Sequence, residues 1–397
     1  MSQVLLDEVC DFFNGGAWSD KEYVTKGIPV LKVTNCKSAG FQIEDINYLP
    51  NQLADKYQKN KLELDDVIIA TVGSHPNLVE SAAGRSYVVN RQIEGFYLNQ
   101  NAVCIRTKDA NVLNQKYLGY LCRGYMFRHY IQNRGRGAAN QMRIAIGAIK
   151  EYKFELPDIE IQRRIADILS RYDNLIENNQ NQIKLLEEAA QRLYKEWFVD
   201  LRFPGYEDCK IVDGVPEGWH MGTLDEIIEY HDKTRKPLSS MQREAMKGSY
   251  RYYGAAGILD FVNQYLFDGT YLLLGEDGTV ITKDGRPVLQ YVTGQFWVNN
   301  HAHVLTGKDG FSTEYIYMMF SHMGISDVVT GVAQPKISQG RLSAKKVLIP
   351  DVKLSNWYQI IAKPYFDKVL QLEKQINALK EARDRLLPKL MSGELEI

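Results

Sequence analysis

The side chains that could do chemistry are few, and they are poorly grouped. His301 and His303 stand two positions apart, so on a strand both imidazoles would share one face and could offer a metal ion two ligands. No cysteine or carboxylate cluster accompanies them in the sequence, and no metal site is expected. Glu151-Tyr152-Lys153 has the Glu-x-Lys spacing of restriction-type nucleases, but Pro157-Asp158 follows it, where such a site needs a preceding Pro-Asp. There is no GxxxxGK[ST] phosphate loop, no strand–GxGxxG–helix fingerprint, no Asn-Pro-Pro segment, no HExxH helix and no GxSxG elbow. Catalysis by this chain alone is not expected.

Residues suited to binding are better organised. Between positions 123 and 153 the bases Arg123, Arg128, Arg134, Arg136, Arg143, Lys150 and Lys153 are opposed only by Glu151, with Tyr125, Phe127 and Tyr130 interleaved. From Thr330 to Lys346, Lys336, Arg341, Lys345 and Lys346 meet no acid, and Lys233, Arg235 and Lys236 form a third basic group. Clustered Lys and Arg give salt-dependent contact with phosphates, and Arg, Asn and Gln can read base edges directly. The candidates are Arg134, Arg136, Asn140, Gln141 and Arg143 in the first half, and Lys233, Arg235, Lys236, Gln334, Lys336 and Arg341 in the second. His75, after Gly73-Ser74, sits on a strand-end loop that could also read a base. For Gln141 and Gln334 a turn-stabilising role stays open beside direct contact.

The elements that would position these residues occur twice. At a constant offset of 193, Gln141, Ile144, Gly147, Pro157 and Asp158 match Gln334, Ile337, Gly340, Pro350 and Asp351, and identities continue without a gap to about residue 198. Each half is a variable block followed by a rigidly repeated one. In the repeated block, Ile165, Ile168, Tyr172, Ile176, Ile183, Leu186, Ala190, Leu193 and Trp197 alternate mostly by three and four. That is a long helix packed along one seam, with a stutter at Tyr172–Ile176 and Asn179 in the stripe. The second copy runs through Ile361, Tyr365, Val369, Leu372, Ile376, Leu379, Arg383 and Leu386, with Pro364 expected to kink or restart it. The least costly partner for each seam is the other copy, giving an antiparallel pair and a pseudo-twofold repeat. The variable blocks carry short strand patterns at 67–70, 87–89, 271–274 and 296–298. A turn-rich stretch from Leu201 to Trp219 links the halves.

Composition agrees with a folded chain of 397 residues: 45% apolar, 24% charged, and a net charge of −1 from 48 bases and 49 acids. That balance excludes a uniformly basic nucleic-acid binder and leaves room for local basic faces. The acidic start Asp7-Glu8, the lack of a long apolar run and five scattered cysteines outside any CxxC pair point to a reduced, cytoplasmic protein without a membrane span.

Several stretches together resemble one family. Gly331-Val332-Ala333-Gln334-Pro335-Lys336-Ile337, Leu348-Ile349-Pro350 before a long helix, and Val215-Pro216-Glu217-Gly218-Trp219 leading to Leu224-Asp225-Glu226-Ile227 are similar to the specificity subunits of type I restriction–modification enzymes. So are Leu156-Pro157 with Gln162-Arg163-Arg164-Ile165-Ala166, and the ending Leu387-Pro388-Lys389-Leu390-Met391-Ser392-Gly393-Glu394-Leu395. The resemblance implies an α+β chain with two mixed α/β target-recognition domains, at 1–155 and 204–349. Two spacer helices, at 156–203 and 350–397, would form an antiparallel coiled coil. It implies double-stranded DNA as ligand, each domain reading half of an asymmetric bipartite sequence, with two modification subunits and two restriction subunits as partners. Those subunits, not this chain, would hold S-adenosylmethionine, ATP and Mg. A paired segment of about 24 residues spans roughly 36 Å, near one turn of B-DNA, which would let helix length set the gap between half-sites. Two alternatives stay open: a coiled-coil scaffold that never touches DNA, and the recognition subunit of a single-chain restriction enzyme system.

Overall fold

The computed structural model describes residues 2–37, 40–73, 83–138, 141–331 and 334–397. It divides into two compact units, residues 1–178 with 376–397, and residues 179–375. These do not coincide with the four sequence segments, because each unit takes one variable block together with half of each long helix.

In the first unit an antiparallel sheet runs in the order Cys10–Asn14, Ala102–Thr107, Val67–Ala70, Ser86–Val88. The apolar run Val67-Ile68-Ile69-Ala70 is buried along its whole length, as a central strand covered on both faces must be. The helix Gln115–Arg123, capped by the Asn114 side chain accepting from the Tyr117 N–H at 3.0 Å, packs on it. The second unit repeats that order as Ile228–Tyr230, Ala302–Gly307, Phe267–Gly275, Leu289–Val298, and extends it with Lys247–Tyr253 and Ile258–Val262. Its helix Thr313–His322 is capped by Ser312 in the same way, at 3.1 Å. In each unit a two-stranded ribbon, Ser2–Leu5 with Lys153–Leu156 or His220–Thr223 with Lys346–Ile349, leads the chain into a long helix. The repeat read from spacing is thus a repeat of topology.

The long helices are Ile159–Tyr194, closed by a π-helical turn at Lys195–Val199, and Val352–Met391. Each follows its Pro-Asp pair directly; Asp351 accepts from the Lys353 N–H at 2.6 Å. They pair antiparallel within each unit: Asp173 meets Arg383 in the first, and Asn179 donates to Gln375 at 3.4 Å in the second. Two expectations are corrected. The second helix does not restart at Pro364: it continues as one helix, and Pro364 lies on an exposed face where the carbonyl of Ile360, itself 71% exposed, can turn to water. Near the start of that helix Ile361 is not in the seam. Leu354, Tyr358, Ala362 and Phe366 are buried there instead, in an aromatic core with Tyr194, Trp197, Phe198 and Tyr315.

The linker is also more ordered than its turn signals suggest. Phe203 and Trp219 sit in that core, their ring centroids 5.3 Å apart. Asp213 and Gly214, with φ of 51° and 80°, close a hairpin of Ile211–Val212 and Val215–Pro216. No helix among the described residues is long and apolar enough to cross a membrane.

Candidate nucleic-acid interface

In the first unit, strands Arg136–Ala138 and Gln141–Arg143 form a hairpin whose second strand also pairs with Val72–Gly73. Arg136 lies directly opposite Arg143, both exposed, and among the described residues neither has a carboxylate partner. Two like charges facing each other across a ladder cost stability. Such a pair is poised for an anion from outside. Arg134, just before the hairpin, lays its guanidinium 3.6 Å from the centre of the Tyr130 ring, which leaves its planar edge for hydrogen bonding. His75 and Asn140 fall outside the described residues, and for Gln141 only the backbone is described, as the first residue of its strand.

In the second unit the equivalent hairpin pairs Val329–Thr330 with Lys336–Ile337. The Ile337 N–H donates to the Glu276 carbonyl at 2.8 Å, as the Ile144 N–H donates to Thr71 in the first unit. Gln334, Lys336 and Arg341 are exposed, Arg341 on the short helix Gln339–Ser343. Lys233 and Lys236 are exposed on and beside the turn Asp232–Thr234. Arg235 is different. Its guanidinium turns inward to Glu276 at 2.7 Å, Asp232 at 3.3 Å and the Ala302 carbonyl at 2.6 Å, and it is only 12% exposed. Its charge is committed within the protein, so it positions the turn that carries Lys233 and Lys236 and is not a free cation.

The two basic stretches of the second unit converge on Glu276, where Arg235 meets one carboxylate oxygen and Lys336 approaches the other at 3.4 Å. Beneath them His303, buried, has Nδ1 2.6 Å from Asp232 and Nε2 2.9 Å from the Ile337 carbonyl. Asp232 also accepts from the Val304 N–H at 2.8 Å. Burial alone would push the Asp232 carboxyl up. The hydrogen bond and charge of His303, the Val304 N–H and the charge of Arg235 outweigh it and hold the pKa below the ordinary value. Sequence reading had placed no carboxylate beside the histidines. Asp232, Glu276 and, against His301, Asp277 are brought there by tertiary folding. Asp232, Glu276 and His303 could in principle ligate a cation, but Arg235 already stands between the two carboxylates. The group works as an ionic hub that fixes the turn Asp232–Thr234 to the hairpin.

A model of the family described as the type I restriction modification DNA specificity domain matches residues 2–188 and 216–381. The chain belongs to that family. It is 27% identical over 317 residues to the type I restriction enzyme MjaIX specificity subunit of Methanocaldococcus jannaschii, covering 75% of this chain and 73% of the relative. Against the putative MjaX specificity subunit of the same organism it is 20% identical over 401 residues, covering 99% and 93%. The fold is similar to the crystal structure of the type I restriction–modification S subunit from M. genitalium, with a TM-score of 0.59 at 17% identity, over 98% of this chain and 95% of that one. In this specificity subunit the two family matches each hold one hairpin, so the basic loops lie at equivalent places in two specificity domains. Sequence reading missed His303, Asp232 and Glu276 as a group. The available signal was His303 within a strand whose first-copy counterpart, Ala102–Thr107, carries no histidine.

Proposed function

We propose that this chain is the DNA-reading subunit of a type I restriction–modification complex, each unit reading one half of an asymmetric bipartite target. The observation that carries the reading is the pair of hairpins. They occupy the same place in the repeated topology, share Gln and Ile at the matched positions 141/334 and 144/337, and present different exposed cations, Arg136 and Arg143 in the first and Lys336 in the second. Arg136 and Arg143, with Arg134 beside them, would grip phosphates and base edges in the first half-site. Lys336, Gln334, Lys233, Lys236 and Arg341 would do so in the second. Asn140, Gln141 and His75 stay with the first reading loop. The helices would set the gap between half-sites and dock two modification subunits. Two restriction subunits would complete the complex. S-adenosylmethionine, ATP and Mg would belong to those partners, along with adenine methylation and ATP-dependent cleavage. The work would take place in the cytoplasm, where the genome is accessible.

Methyladenine mapping in cells expressing the whole system tests this. The expected result is one bipartite motif with two unlike half-sites. Inserting about one helical turn into both long helices should lengthen the gap and leave both half-sites unchanged. A single undivided motif, or a gap indifferent to the insertion, would sink the reading.

A further inference from the structure

The repeat allows the two units to be compared where helix pair and domain meet, away from the hairpins. In the first unit that place is filled by arginines. Asp173 of the first long helix receives Arg383 of the second at 2.6 Å, Arg123 of the domain helix at 2.9 Å and the Tyr120 hydroxyl at 2.7 Å. The 193-residue offset places Ala190 at the position of Arg383 and Phe366 at that of Asp173. Aligning the two capped domain helices on Asn114 and Ser312 places Ser321 at the position of Arg123. Both arginines are therefore missing from the second unit, and Ala190, at the place of Arg383, borders an open space.

That space is a cavity of about 270 Å³. Its walls include Tyr291, Tyr317, Tyr365 and Phe366, with the rings of Tyr291 and Phe366 5.1 Å apart and those of Tyr291 and Tyr317 5.6 Å apart. Glu187 and Glu373, one from each long helix, also line it. Among the described residues neither carboxylate has a cation partner. Both glutamates are exposed at the cavity rim; partial desolvation there, and then the neighbouring Glu373 charge, push the Glu187 carboxyl up. Ring faces and carboxylates together attract a flat, weakly hydrated cation, and the guanidinium suits both surfaces better than an ammonium does.

We propose that this cavity receives an arginine side chain from a protein docked along the helix pair of the second unit, supplying in trans what Arg383 and Arg123 supply in cis in the first. The proposal rests on the reading that the chain assembles with modification subunits, and those subunits serve as the probe. Two variants of the full-length chain are titrated with purified modification subunit. Glu187→Gln with Glu373→Gln removes the charge. Ala190→Arg installs an internal guanidinium where the first unit has Arg383.

Each variant should weaken one of the two binding events by about tenfold and leave the other unchanged. Ala190→Arg should also raise the melting temperature, since it fills a hole beside unpaired acids. Should Ala190→Arg fail to fold, the glutamate pair, on the cavity rim, still decides. Binding indifferent to the glutamate pair would overturn this proposal alone. No binding by the wild-type chain would overturn the assembly reading and this proposal with it.

Discussion

Around the basic hairpin of the second unit stand Asp232, Glu276 and His303. The strand registers and the shared backbone bonds place Asn14, Thr71 and Val103 at the equivalent positions of the first. The hairpin is tied down identically in both, by a backbone N–H one residue past the cation reaching the carbonyl after a central strand, at 2.8 Å each time. Backbone hydrogen bonds carry the placement, so the side chains beside them are free to change. That freedom lets one fold present Arg143 without a carboxylate partner among the described residues in one unit and Lys336 beside Glu276 in the other. The first hairpin displays its full charge. The second displays a charge moderated by its own hub.

Replacing Asp232 by Asn, the residue of the first unit, attacks the difference at its centre. His303 and Arg235 would lose their shared carboxylate in a mostly buried setting, and the second unit should lose about 3 kcal/mol in urea unfolding. The reverse change, Asn14→Asp on an exposed strand end, should stay within about 0.5 kcal/mol. Comparable effects from both would remove the hub as the distinction between the units.

Acid should act on the units through different carboxylates. Asp173, in the helix seam of the first, would be raised by burial, but Arg123, Arg383 and Tyr120 together hold it below its ordinary value. Asp232 in the second is depressed likewise. A depressed carboxyl contributes stability that is fully present above the unfolded value near 4 and disappears as pH falls through the folded value. Asp173→Asn should cost about 2 kcal/mol at neutral pH and flatten the acid-unfolding profile below pH 4. An unaltered profile would show that the seam ion pairs carry no linkage.

The hairpin cations offer a finer test. Arg143→Ala should lower affinity for the target and reduce the slope of log affinity against log salt by about 0.9, one phosphate's worth. Lys336→Ala should do less, because Glu276 already offsets part of its charge. Equal losses at both sites would mean the moderated charge has no bearing on binding. The smallest expected effect lies in the helices. Asn179→Leu, which copies Leu372 of the repeat, should change stability by less than about 1 kcal/mol, since a 3.4 Å Asn–Gln contact holds little. A loss of several kcal/mol would make that pair a determinant of helix register.

Much of the fold was legible because it rests on short-range periodicity. The three-four spacing, the Pro-Asp helix starts and the strand at 67–70 are local signals, and the structure carries all three. The stutter after Tyr172 was visible too, but its cause was not: there Asp173 turns into the seam to meet Arg383, 210 residues away. The exposed cations of both hairpins were legible from charge clustering. That Arg235 is withdrawn from them was not, because its partner Glu276 lies 41 residues downstream, just past the strand Phe267–Gly275.

The sequence by itself determined that there are two copies, that each ends in a long helix, and that each carries cations in the loop before it. Repeats, helix periods and charge runs are written in linear spacing. Only the tertiary structure decided which cations are free, how the histidine at 303 is spent, and that one unit fills its helix–domain junction with arginines while the other leaves an acidic, aromatic hole. Those outcomes depend on pairings between segments tens to hundreds of residues apart. Strand register and helix packing select such pairings, and no spacing along the chain contains them.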